Sequence, residues 1–221
     1  MTNGTGERPS VRLLLVRHGR VDPSVTPDAS TPLDEVGRAQ SEHAASMLAG
    51  AGVHRVFSSP TRRALETAEI IGTALGLEPE VDAPLREFEL GAEGATSDEA
   101  AQRPRPDLAL WRPEHRVRRD AESLGDFQSR VTAMLTAMTL QARPHDVYVL
   151  VTHAGVINAA LRWAVGMASN NGWFFGAVTP CGSVTEIEHW PRGRHEEGAP
   201  RYSVLHRLGD VGGLASELRS E

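Results

Sequence analysis

The stretch Val11-Arg12-Leu13-Leu14-Leu15-Val16-Arg17-His18-Gly19 decides how this chain reads. A run of mostly branched apolar residues, without the alternation of a half-exposed strand, predicts a strand buried on both faces. Gly19 then lets the backbone turn away, because glycine tolerates positive φ and close approach. Arg17 and His18 are thereby placed at the carboxyl end of a strand, where open α/β sheets keep their ligand crevices. Arginine brings a permanent, forked positive charge suited to phosphate. A histidine beside it can be a neutral nucleophile near neutral pH.

A second strand ends the same way. Val147-Tyr148-Val149-Leu150-Val151 is followed by Thr152-His153-Ala154-Gly155, and residues 156–165 read as helix. His153 is therefore expected near a helix N-terminus, where free N–H groups favour anions. Two further segments carry charge. The short strand 53–57 runs into Ser58-Ser59-Pro60-Thr61-Arg62-Arg63-Ala64-Leu65-Glu66-Thr67-Ala68, a helix with Ser59 as its cap and Pro60 at its first position. Arg62 and Arg63 then fall in the first turn, against the helix dipole, which suggests a task other than helix stability. Leu85-Arg86-Glu87-Phe88-Glu89-Leu90-Gly91-Ala92-Glu93-Gly94 puts carboxylates in a glycine-punctuated loop.

Taken in order, these segments resemble the histidine phosphatase superfamily, the phosphoglycerate-mutase-like proteins, over nearly the whole chain. Leu15 to Gly19 resembles the nucleophile motif. Ser58 to Ala68 is similar to the segment bearing the second phosphate arginine, which matches Arg63 rather than Arg62. Leu85-Arg86-Glu87 with Leu90-Gly91 resembles the acid-bearing segment, with Glu87 as proton donor, and Val151 to Val156 the segment with the second phosphate histidine, His153. The resemblance implies a phosphomonoesterase that works without metal or cofactor. In it His18 forms a phosphohistidine, Arg17, Arg63 and His153 screen the phosphate, and Glu87 protonates the leaving group. Arg20 and Ala154, next along the chain from the two histidine motifs, are candidate substrate contacts. A phosphoglycerate-type mutase, or a catalytically silent binding protein on the same scaffold, is the alternative.

The chain departs from the family pattern around the pocket mouth. Arg20-Val21-Asp22-Pro23 replaces the usual Glu or Gln, Thr and later Trp-Asn pair. Gly91-Ala92-Glu93-Gly94 lacks a tryptophan, and Ala121-Glu122-Ser123 stands where Gly-Glu-Ser is common. No charged core residue is lost, so the expected chemistry stands while substrate inference by analogy is weakened.

Strands alternating with helices predict an α/β three-layer sandwich, with a mostly parallel central sheet covered by helices on both faces. Helices are expected over residues 34–48, over 60–75 up to Gly76, and after Ser123, where Leu124, Phe127, Val131, Met134, Leu135 and Met138 form an apolar stripe. Late strands are expected over 178–190 and 201–208. One domain spans 10–208, between a polar tail at 1–9 and a loose tail at 209–221. Residues 95–120, rich in proline and charge, correspond to the segment that forms the cap over the pocket in the family. Trp173-Phe174-Phe175 reads as core or pocket wall.

The 221 residues carry 40% hydrophobic content, enough for a sizeable core, and a net charge of −6, which argues against nucleic acid as a partner. All basic residues are arginine, which fits a bias toward Ala, Gly and Pro codons rather than selection for anions. The single Cys181 cannot form an internal disulfide, and no apolar stretch suits a signal peptide or membrane span, so a cytoplasmic protein is expected. The expected partners are a small phosphorylated substrate and inorganic phosphate as product, and a homodimer stays open. The seven histidines besides His18 and His153 show no metal-ligand spacing.

Overall fold

Strand β1, Val11–Arg17, lies in the interior of a six-stranded sheet. A computed structural model describes residues 9–88, 112–114, 116, 121–167, 176–193 and 200–219. The other strands are β2 (Arg55–Ser58), β3 (Glu80–Val81), β4 (Val147–Thr152), β5 (Val184–Trp190) and β6 (Tyr202–Asp210). Their spatial order is β3-β2-β4-β1-β5-β6. The β3-β2-β4-β1 half is parallel, while β5 and β6 add antiparallel at the other side of β1.

The apolar runs lack alternation because both faces of the sheet are covered. On one face Leu14 and Val16 of β1 and Val147, Val149 and Val151 of β4 pack against α1 (Glu35–Leu48) and α2 (Arg62–Leu75). On the other, Leu13, Leu15, Tyr148 and Leu150 pack against α3 (Leu124–Gln141) and α4 (Ala154–Ala164). The apolar stripe of α3 accounts for Phe127, Val131 and Leu135, which are fully buried. The chain is thus an α/β three-layer sandwich. No helix among the described residues is long and apolar enough to cross a membrane.

Helix boundaries follow local chemistry. Asp34 caps α1 by accepting the Gly37 N–H, and Ser123 caps α3 by accepting that of Asp126. Gly76, at φ 70, closes α2 in the left-handed conformation. Two expectations are corrected. The cap of α2 is Thr61, not Ser59, and the helix proper starts at Arg62 rather than Pro60. Strand β5 begins at Val184, not residue 178. Residues 179–183 turn instead, with Gly182 at φ 72.

Smaller shifts occur elsewhere. Helix α4 starts two residues earlier than expected, at Ala154, and β6 runs on to Asp210. The stretch after 209 is packed as far as Arg219, contrary to a loose tail. Leu214 is buried, the Val211 carbonyl meets His43 Nε2 at 2.8 Å, and Gln40 donates to the Leu218 carbonyl at 2.6 Å. Most of 95–120, Glu89, Glu93 and Trp173 to Phe175 lie outside the described residues.

Candidate active site

The register of β1 and β4 creates the site. Arg17 pairs with Thr152, so the next residues, His18 and His153, leave the two strands side by side. The His18 N–H donates to the Thr152 carbonyl at 2.9 Å, and the two imidazoles meet edge to face with centroids 5.0 Å apart. Gly19 serves close approach rather than positive φ, since a Cβ there would overlap the Gly37 carbonyl of α1.

His18 Nδ1 lies 2.8 Å from the Gly19 carbonyl oxygen. A carbonyl can only accept, so Nδ1 carries the hydrogen and Nε2 keeps its lone pair. Arg63 Nε donates to that Nε2 at 3.2 Å. Burial first, and then the Arg63 charge, lower the His18 pKa to about 3, against a smaller opposing pull from the Gly19 hydrogen bond. The ring is therefore neutral throughout the physiological range.

Arg63 projects from the first turn of α2 and is tied at the far side by a 2.6 Å bond from Nη1 to the Asp28 carbonyl. Arg62 takes the other direction, exposed and ion-paired with Glu66 at 2.9 Å. Thr67, one turn along, stitches this helix to the histidine turn. Its hydroxyl accepts the Gly19 N–H at 3.1 Å and donates to the Arg63 carbonyl at 2.8 Å. Arg17 Nη1 donates to the Thr179 carbonyl at 2.6 Å, while its buried Nε has no partner among the described residues.

His153 occupies the cap position of α4 without capping it. Its Nε2 instead meets Ser59 Oγ at 2.9 Å and Thr61 Oγ1 at 3.4 Å, and its buried Nδ1 has no partner among the described residues. Burial first, then the charges of His18 and the arginines, push its pKa well below the usual value. Glu87 sits on the N-terminus of α4. Its Oε2 accepts the Gly155 N–H at 3.0 Å and its Oε1 the Phe88 N–H at 2.9 Å. Burial raises the Glu87 pKa above the ordinary carboxylate value, although these two N–H groups, Arg17 and Arg63 oppose it.

All seven residues singled out in the sequence, Arg17, His18, Arg20, Arg63, Glu87, His153 and Ala154, line one cavity of about 570 Å³. Val21, Pro23, Pro27 and Cys181 complete its described wall. Sequence reasoning missed the supporting polar residues Ser59 and Thr67 and the turn at 179–183. For the turn a signal existed in Pro180 and Gly182, which break a strand. For Ser59 and Thr67 there was none, since their partners are distant in sequence.

Residues 13–198 match the profile of the histidine phosphatase superfamily (branch 1). The chain belongs to this family. It is 32% identical over 224 residues to the glucosyl-3-phosphoglycerate phosphatase of Mycobacterium tuberculosis, covering 95% of this chain and 97% of that protein. It is also 28% identical over 183 residues to a 2,3-bisphosphoglycerate-dependent phosphoglycerate mutase of Thermoplasma acidophilum, covering 79% and 86% respectively. Among solved structures, mycobacterial glucosyl-3-phosphoglycerate phosphatase superposes with a TM-score of 0.72 at 27% identity, over 90% of this chain and 98% of that one. With phosphatases and mutases as relatives, this histidine phosphatase superfamily member is an enzyme of phosphatase or mutase type.

Proposed function

We propose that the chain hydrolyses a small phosphate monoester through a phosphohistidine on His18, without a metal ion. The observation that carries this reading is the tautomer of His18. Gly19 holds the hydrogen on Nδ1, so the Nε2 lone pair faces a cavity ringed by Arg17, Arg63 and His153.

Phosphate binding replaces the bond between Arg63 Nε and His18 Nε2, and both arginines turn their charge on the equatorial oxygens. That neutralisation is worth most as charge redistributes in the transition state. With the Ser59 hydroxyl donating to His153 Nε2, Nδ1 carries a hydrogen whose missing acceptor is a phosphate oxygen. Nε2 of His18 attacks phosphorus, the P–O bond to the leaving group breaks, and protonated Glu87 gives its proton to the departing oxygen. A water then loses a proton to Glu87 and attacks phosphorus, the N–P bond breaks, and phosphate leaves with His18 restored.

The arginines supply the cationic screening that a metal would otherwise provide, so turnover is expected to survive EDTA. The enzyme should hydrolyse p-nitrophenyl phosphate, and acid-labile radiolabelled phosphate should accumulate on the wild type but not on His18→Ala. Turnover by His18→Ala close to wild type would overturn the mechanism. A reaction that only moves the phosphoryl group within a phosphoglycerate, releasing no phosphate, would make the enzyme a mutase.

A further inference from the structure

Glu87 stands on irregular backbone. The single 3-10 turn Ala83–Leu85 ends before it, and residues 86–88 belong to neither helix nor strand. Such a segment has no ladder to take up its carbonyls, so side chains must do so. The carbonyls of Pro84 and Arg86 accept Arg130 Nη1 at 2.7 and 3.1 Å, and that of Leu85 accepts Thr152 Oγ1 at 2.7 Å. The Glu87 carbonyl completes the run, accepting Arg130 Nη2 at 3.5 Å.

Arg130, on α3, is itself held fast. Glu122, one residue before the cap of α3, accepts Nε at 2.9 Å and Nη2 at 2.7 Å, and the guanidinium lies over the buried Phe127 ring at 5.0 Å from its centroid. A planar peptide carries the grip of Arg130 on to the acid. The Glu87 carbonyl and the Phe88 N–H belong to one trans peptide unit and point in opposite directions. Fixing the carbonyl therefore aims the N–H, which holds Glu87 Oε1 at 2.9 Å.

A bare cation at this place would favour the carboxylate form of the acid. Glu87 already shares its cavity with Arg17, Arg20, Arg63, His18, His153 and Cys181, and the charges of Arg17 and Arg63 oppose the burial that raises its pKa. The field of Arg130 reaches this site, since it is among the causes that depress His153. Glu122 cancels that charge at contact distance and leaves Nη1 to the loop carbonyls.

We propose that Arg130 is the positioning residue of Glu87, gripping the loop that carries it, and that Glu122 both orients Arg130 and masks its charge. This rests on the phosphomonoesterase reading, in which Glu87 gives a proton to the leaving group. Two variants separate the roles. Arg130→Met combined with Glu122→Gln removes the grip without leaving a buried charge unpaired. Glu122→Gln alone keeps an oxygen for Arg130 and removes only the negative charge. Both are compared with wild type on ethyl phosphate, a poor leaving group, and on p-nitrophenyl phosphate. The Glu87 carboxyl is also titrated by carbon-13 NMR, assigned through Glu87→Gln.

The double variant should lose about tenfold or more in kcat on ethyl phosphate and less than about threefold on p-nitrophenyl phosphate. Its KM should change little on either ester, because Arg17, Arg63 and His153 are untouched. Equal losses on both esters, or none on either, would overturn the positioning role and leave the phosphatase standing. Glu122→Gln should move the alkaline limb of kcat on ethyl phosphate, and the NMR titration of Glu87 with it, toward lower pH by about half a unit or more. Coincident curves for Glu122→Gln and wild type would overturn the masking. If the wild type hydrolyses no ester, the phosphatase reading fails and the NMR titration still decides: a lowered Glu87 pKa in Glu122→Gln supports the device, and an unchanged one overturns it.

Discussion

Adjacent residues on a helix point about 100° apart, so of Arg62 and Arg63 only one can face the crevice. The structure gives that place to Arg63, whose Nε reaches His18, while Arg62 is exposed and paired with Glu66. Burial lowers the Arg63 pKa, so its charge is held where water screens it poorly. Arg63→Ala should therefore cut kcat/KM by about a hundredfold or more, as for a lost transition-state cation. An exposed ion pair such as Arg62–Glu66 contributes well under about 1 kcal/mol, so Arg62→Ala should change kcat/KM by less than about fivefold. Both variants are measured on one ester, with vanadate inhibition alongside. A larger loss for Arg62→Ala would reassign the clamp. At this scale the sequence was legible. Charges that oppose the dipole of their own helix signal a task outside it, and the resemblance chose between the two arginines.

The N-terminal turn of α4 shows what a single element does for the acid. Its free N–H groups favour negative charge, and Glu87 takes the one at Gly155. A Cβ on Gly155 would overlap Glu87 Oε1, so the missing side chain makes room for the carboxyl group. Alanine suits a helix better than glycine by up to about 1 kcal/mol, so Gly155→Ala should fold and yet displace Glu87. Its kcat should fall on esters with poor leaving groups much more than on p-nitrophenyl phosphate, whose leaving group needs little protonation. Equal losses on both would mean that Gly155 serves packing alone. Element boundaries were less legible than the elements, for a physical reason. Ser59 has the chemistry of a cap, but its hydroxyl is spent on His153, and the cap position passes to Thr61 without a side-chain bond. Residues 179–183 read as strand, but the Thr179 carbonyl and the Gly182 N–H bend inward to meet Arg17, and that pairing is set by the fold rather than by local periodicity.

Across the whole molecule, the alternating pattern foretold the layers, while the placement of β5 and β6 antiparallel beside β1 depended on pairings that no local run encodes. The same layers bury three histidines in the neutral form. His18 is lowered to about 3, His153 well below its usual value, and His189, packed against Trp163 and 2.8 Å from Ser203 Oγ, to about 4, burial being the first cause in each. Above a pH of about 6.5 these groups are neutral in folded and unfolded chains alike and do not affect stability. As the pH falls below that value the unfolded chain takes up protons that the folded chain refuses, so stability declines until the folded pKa values are reached. Each group contributes at most about 1.4 kcal/mol per pH unit. The urea midpoint should thus drop steadily from pH about 6.5 toward about 4, and His18→Ala, which removes one such refusal, should gain on the wild type as the solution is acidified. A difference between the two proteins that stays constant with pH would show that His18 is not held neutral by its surroundings. Inorganic phosphate should flatten the acid decline more in the wild type than in His18→Ala, because an anion in the cavity favours protonation of His18 and His153 alike, and the variant keeps only His153.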